Sequence, residues 1–235
     1  MRPTGFVRSA TRLAPVPFLP ELSIYQTDDI YALWARTERE LGRAGLPPPF
    51  WGVPWPGGQA LARYLLDHPA VVSGRSVLDL GSGSGLVAIA AAKAGAATVI
   101  ASETDPIALA AIGLNAAING LPAPVCVGSV CDPGRSQDGS ACTAVSGARP
   151  AADVIVAGDV WYERDLADQV GAYLDAAAAA GAHVLTGDIG RRYFPRGRYR
   201  CLASYEVPAR VALEGKQALC ASVWQATGTS SLPGR

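Results

Sequence analysis

Residues 77–105, VLDLGSGSGLVAIAAAKAGAATVIASETD, constrain this chain more than any other stretch. A short apolar run predicts a buried strand. A glycine-rich turn follows, then a small-residue helix, a second strand and an acid at that strand's end. Gly81, Gly83 and Gly85 allow a tight turn and the approach of a ligand where a side chain would clash. A strand, turn and helix in this order place a helix N-terminus beside the carboxyl end of a sheet, where open α/β sheets bind nucleosides.

The rest of the chain fits that unit into an α/β fold. Residues 21–26 predict a short strand. Residues 28–45 predict a helix capped by Asp28 or Asp29, with Ile30, Leu33, Trp34, Thr37 and Leu41 at helical spacing. Prolines 47, 48, 49, 54 and 56 make 46–58 a stiff loop carrying Trp51 and Trp55. A helix resumes over 59–67. From Ser76, strands 77–80, 98–102, 125–130, 153–157 and 183–186 alternate with helices 86–94, 106–119 and 165–180. Such alternation implies a parallel sheet with helices on both faces. Residues 199–207 and 217–225 read as two strands with no helix between them, an antiparallel hairpin. The expected architecture is Rossmann-like: a mainly parallel seven-stranded sheet ending in that hairpin. Residues 131–150, rich in Gly, Ser, Pro and Asp, read as a long surface loop.

Length and charge narrow the classes. A chain of 235 residues suits one substantial core. The expected division is an N-terminal extension over 1–20, one domain over 21–227 and a tail over 228–235. Pro3, Pro15, Pro17 and Pro20 argue against a helix in the extension. Twenty basic and 20 acidic residues leave no net charge and no broad nucleic-acid footprint. No apolar run is long enough to cross a bilayer. Five cysteines without a CxxC pair point to reduced thiols, buried or idle, in a cytoplasmic protein, and no metal set is expected. A monomer is expected.

The cofactor expectation rests on detail within the turn. A dinucleotide fingerprint needs its third glycine at position 86, which is Leu86. Asp79 would repel a pyrophosphate but suits the ammonium and sulfonium of S-adenosyl-L-methionine. Glu103, 18 residues after Gly85, can accept bonds from ribose hydroxyls. The expected cofactor contacts are Trp55, Asp79, Gly81, Ser82, Gly83, Gly85, Glu103, Thr104, Ser129 and Gly158. Asp105, before Pro106, reads as a helix cap. Asp132 could meet an adenine amino group or simply be solvated.

The fourth strand of the alternation runs into Gly158-Asp159-Val160-Trp161-Tyr162 at the ligand-binding edge. Asp159, Trp161 and Tyr162 are the expected catalytic residues; a helix cap and core aromatics are the plainer reading. Trp51, Asp188 and Arg191 are expected to meet the substrate. Asp-Val-Trp-Tyr resembles the Asp-x-x-Tyr motif of seven-strand protein lysine methyltransferases. Residues 46–69, the DLGSGSG turn, 158–165 and GDIGR over 187–191 together resemble the enzymes that methylate the electron-transfer flavoprotein beta subunit. The similarity runs from about residue 21 to 225, and 131–150 looks like an insertion. It implies one Rossmann-like domain, S-adenosyl-L-methionine as donor and a protein lysine as acceptor. In such chemistry Asp159 would orient the incoming ammonium rather than remove its proton, and the tryptophans would wall the pocket. Another protein (a ribosomal protein, for example) or a small amine as acceptor, and a binding module without catalysis, remain alternatives.

Overall fold

The computed structural model describes residues 2–127 and 152–227, and the side chains of 125–127 lie outside that description. Ser129, Asp132, the 131–150 loop and the 228–235 tail therefore fall outside the described residues.

The first elements are α1 (Pro3–Ala10), β1 (Arg12–Val16) and β2 (Leu19–Gln26). The helix in the first twenty residues corrects the expectation from the prolines. Pro3 occupies the first helical turn, where its missing N–H costs nothing. Pro15 sits in a two-stranded antiparallel sheet, β1 with β2, at a register shift. Phe6, Val7, Val16 and Leu19 are buried.

After these come α2 (Ile30–Leu41), α3 (Pro56–Asp67), β3 (Ser76–Leu80), α4 (Leu86–Lys93), β4 (Thr98–Ser102) and α5 (Pro106–Ile118). Asp29 caps α2 by accepting from Ala32 N–H at 3.0 Å. β5 (Val125–Val127), β6 (Val154–Gly158), α6 (Arg164–Ala179), β7 (His183–Asp188), β8 (Tyr199–Pro208), α7 (Val211–Glu214) and β9 (Ala218–Ala226) complete the order. The short helix α7 corrects the expectation of a hairpin without helix. Residues 209–217 are long enough to close one turn, which Gly215 ends at φ 69°.

The large sheet has seven strands in the order β5-β4-β3-β6-β7-β9-β8. β5, β4, β3, β6 and β7 are parallel, and β9 joins β7 antiparallel. Side chains of successive residues face opposite sides of a strand. Val77, Val154 and Val156 therefore meet α3 and α4, through Leu61, Leu65, Val87 and Ala91. Leu78, Leu80, Ile155 and Ala157 meet α6 on the other face, through Ala167, Val170 and Leu174. α5 carries α1 against Ile107, Ala108 and Ala111. The sheet order reverses direction between β3 and β6, so a crevice opens at their carboxyl ends. Cys201 and Cys220 are free and exposed, not buried.

Candidate active site

The turn after β3 is left-handed at three alternate residues: Gly81 (φ 66°), Gly83 (φ 55°) and Gly85 (φ 81°). Gly85 also lets α4 pack closely on α5, since a Cβ there would meet Ile112 at 3.2 Å. Asp79, buried under this turn, accepts from Ser82 Oγ at 2.6 Å and Ala88 N–H at 3.0 Å. Burial pushes its carboxyl up to about 6, against those two hydrogen bonds. Glu103 closes β4 and ties the turn down. Its Oε2 accepts from Gly83 N–H at 2.9 Å, and its Oε1 from Thr104 N–H at 2.6 Å and Asp105 N–H at 3.1 Å. Asp105 caps α5 through Ile107 N–H at 2.8 Å, as its position before Pro106 predicts.

The second half of the site forms where β6 and β7 end. Asp159 adopts φ 54°, among the described residues the single non-glycine in the left-handed region. Its backbone N–H donates to Gly187 O at 2.9 Å. Its Oδ2 accepts from Gly58 N–H, in the first turn of α3, at 2.7 Å. Trp55, the residue before α3, makes no side-chain cap, so Asp159 supplies an acceptor for that helix from 101 residues away. Glycines at 57, 158 and 187 permit this. A Cβ on Gly57 would stand 2.4 Å from Gly187 O, and one on Gly158 would stand 2.8 Å from Gly58 Cα. Asp159 is 7% exposed. Burial pushes its carboxyl up to about 7, although Arg191 and the Gly58 N–H oppose the rise.

A cavity of about 540 Å³ joins the two halves. Its walls carry Asp79, Glu103, Asp105, Asp159 and Glu163, with Arg191 as the basic side chain among the described lining residues. Such a lining repels a pyrophosphate and attracts cations. These residues fit S-adenosyl-L-methionine: a side-chain-free turn, a fixed carboxylate at the end of the second strand of the unit, and acids that would suit a sulfonium and an ammonium. Aromatic rings frame the cavity. Phe50 stands 5.9 Å from Trp55 and 5.2 Å from Tyr162, centroid to centroid. Phe50 and Tyr162 are partly open to solvent, and burial raises the Tyr162 hydroxyl to about 12, so it stays protonated and can donate.

Of the expected residues, Trp51, Trp55, Asp79, Gly81, Ser82, Gly83, Glu103, Thr104, Gly158, Asp159, Tyr162 and Arg191 line this one cavity. Gly85 lies outside the lining and serves the turn beneath it. Trp161 requires correction. It is buried in the sheet core, donates to Thr186 Oγ1 at 2.9 Å and packs edge-on against Phe194 and Tyr199. Here Trp161 turns into the core while its neighbour Tyr162 is exposed. Asp188 also leaves the cavity wall. Its Oδ1 accepts from Gly190 N–H at 2.5 Å and Arg191 N–H at 2.7 Å, so it shapes the loop that carries Arg191. Phe50 and Glu214 were not anticipated. Phe50 lay in view beside Trp51, whereas nothing local marks Glu214, which bonds Arg191 at 3.0 Å from the far hairpin.

This sheet, glycine turn and acidic cavity define a class I methyltransferase. The family described as "Ribosomal protein L11 methyltransferase (PrmA)" matches residues 60–159. The electron transfer flavoprotein beta subunit lysine methyltransferase of Mus musculus is 42% identical over 191 residues, covering 77% of this chain and 69% of the relative. The protein of the same description from Xenopus laevis is 35% identical over 193 residues, covering 82% and 72%. A crystal structure of Thermoplasma acidophilum 1320 aligns with a TM-score of 0.50 at 17% identity, covering 73% of this chain and 87% of that one. The chain belongs to the family of electron transfer flavoprotein beta subunit lysine methyltransferases. Among the described residues, no helix is long and apolar enough to cross a membrane, and no cluster of His, Cys, Asp and Glu could hold a metal ion.

Proposed function

We propose that this enzyme transfers methyl groups from S-adenosyl-L-methionine to a lysine of the electron-transfer flavoprotein beta subunit, as a cytosolic, monomeric, single-domain protein. The observation that carries the reading is Asp159: a buried carboxylate held by the α3 N-terminus, with one oxygen turned toward Arg191, on the wall of an acidic cavity rimmed by Phe50, Trp55 and Tyr162. The bound cofactor supplies an electrophilic methyl group on sulfur. Glu103 would hold the ribose, and Asp79 would suit the cationic amino-acid end. Asp159 attracts the lysine ammonium and fixes its direction. The ammonium has an ordinary pKa near 10.4, so it must shed its proton before attack. Desolvation between the aromatic rings lowers that value, while a charged Asp159 opposes it. Asp159 is therefore assigned orientation rather than proton abstraction. The rings also favour methylammonium groups by cation–π attraction.

The match to ribosomal protein L11 methyltransferases spans residues 60–159. That stretch holds the cofactor turn and ends at Asp159, so it speaks to the donor and not to the acceptor. The test is incubation with labelled cofactor and recombinant electron-transfer flavoprotein, followed by intact mass of the beta subunit. A mass gain in methyl steps that disappears in Asp159→Ala is expected. No gain, with cofactor still bound by calorimetry, would discard this acceptor.

A further inference from the structure

Arg191 presents one nitrogen to two acids: Nη2 lies 3.0 Å from Glu214 Oε1 and 3.5 Å from Asp159 Oδ1. All three side chains are largely shielded from solvent, at 20% exposure for Arg191, 12% for Glu214 and 7% for Asp159. Charge-assisted pairs usually close to about 2.7–2.9 Å, so Arg191 stands off from Asp159 and leans to Glu214. Its guanidinium carbon also sits 5.9 Å from the centre of the Trp55 ring.

Glu214 has an anchor independent of Arg191. It ends α7, which is preceded by Arg210. Arg210 donates to Thr27 O and to Gln26 Oε1, the latter at 2.9 Å, and pairs with Asp28 at 3.1 Å. The hairpin turn is thereby fastened to the end of β2. We propose that Glu214 is a positioning residue that draws Arg191 off Asp159, leaving Asp159 Oδ1 open to the substrate ammonium. The inference rests on the lysine reading above. Without Glu214, Arg191 closes onto Asp159 and competes with the lysine for the same oxygen. The groups facing Asp159 are Asp188 from the end of β7, Arg191 from the loop after it, Glu214 from α7 and the Gly58 N–H from α3.

The test compares wild type, Glu214→Ala, Glu214→Gln, Arg191→Ala and the Arg191→Ala/Glu214→Ala double variant, with electron-transfer flavoprotein as acceptor across the neutral pH range. Glu214→Ala should raise KM for the acceptor about tenfold, with kcat within about twofold, and move the acid limb of the profile down by about one pH unit. Glu214→Gln keeps a hydrogen bond and should fall between, and it carries the test if Glu214→Ala does not fold. The double variant should return to the KM of Arg191→Ala alone. Carbon-13 titration of the Asp159 carboxyl, without substrate, should show a larger downward shift on losing Glu214 when Arg191 is present than when it is absent. An unchanged KM and acid limb in Glu214→Ala, or additive effects in the double variant, overturns the inference. If wild type leaves this acceptor unmethylated, the proposed acceptor fails, and the carboxyl titration alone decides: equal shifts in both backgrounds overturn the inference.

Discussion

Replacing Asp159 with asparagine tests the electrostatics of the site without any substrate. Asp159 is buried, and burial pushes its carboxyl up to about 7. In the unfolded chain an aspartate titrates near 3.9. Between those values the folded protein holds a proton that the unfolded chain has lost. Stability from this group is therefore complete below about pH 4 and is lost as pH rises through about 7. Each unit is worth about 1.4 kcal/mol, so from pH 5 to pH 8 the loss is on the order of 3 kcal/mol. A folded pKa one unit lower would halve it. For a chain of this size that is roughly 6–12 °C in Tm. Asparagine cannot titrate. The Tm of Asp159→Asn minus that of wild type should thus rise by about this amount between the two pH values. Thermal melts followed by circular dichroism, without cofactor, give the difference directly. A gap that stays constant from pH 5 to pH 8 would refute the claim that burial, rather than the Arg191 contact, dominates this carboxyl. Transfer should follow the same titration in the opposite sense, since only the carboxylate attracts an ammonium.

Three further substitutions probe separate parts of the site. Glu103→Ala removes the acceptor that ties Gly83, Thr104 and Asp105, and should weaken S-adenosyl-L-methionine binding by about ten- to a hundredfold in calorimetry. Gly187→Ala places a Cβ 2.1 Å from Gly57 O and 2.9 Å from Leu61 Cβ; it should cost about 3 kcal/mol in chemical denaturation and also reduce transfer, because the Gly58 donor moves with α3. Trp161→Phe loses the bond to Thr186 and some core volume, so about 1–3 kcal/mol of stability should go while KM for the protein acceptor stays put. A large rise in that KM at unchanged stability would return Trp161 to the pocket wall.

What was legible in the sequence had short range. The strand and turn around Gly81–Gly85, the cap at Asp105 and the strand 98–102 are set by contiguous residues, and the fold reproduces them. The seven strands follow from five that alternate with helices and two that form the terminal hairpin. In the first twenty residues the prolines argue against a helix, yet Pro3 stands at the first helical position, where it removes no bond. Trp161 differs for another reason: its place in the motif is local, but which side of the turn it faces is settled by Thr186, Phe194 and Tyr199, far along the chain. Glu214 could not be found at all, because its partner is 23 residues away across a hairpin.

The two most distinctive sequence stretches, the proline–tryptophan loop over 46–58 and GDIGR over 187–191, turn out to be one structure. Gly57 packs directly on the backbone of Gly187, and Arg191 lies over Trp55. Asp159 sits between them, bonded to Gly187 O through its N–H and to Gly58 N–H through its carboxylate. A side chain at any of the close glycine contacts would push α3 away and strip that carboxylate of its donor. The left-handed backbone at Asp159 costs free energy on its own, and it persists because both neighbours hold it. The prolines add to this by limiting how far the loop can relax. The acid proposed to orient the substrate is therefore placed by the meeting of these stretches rather than by the Asp-x-x-Tyr motif alone. That motif without the paired glycines would set an aspartate at the end of a strand but would not aim it.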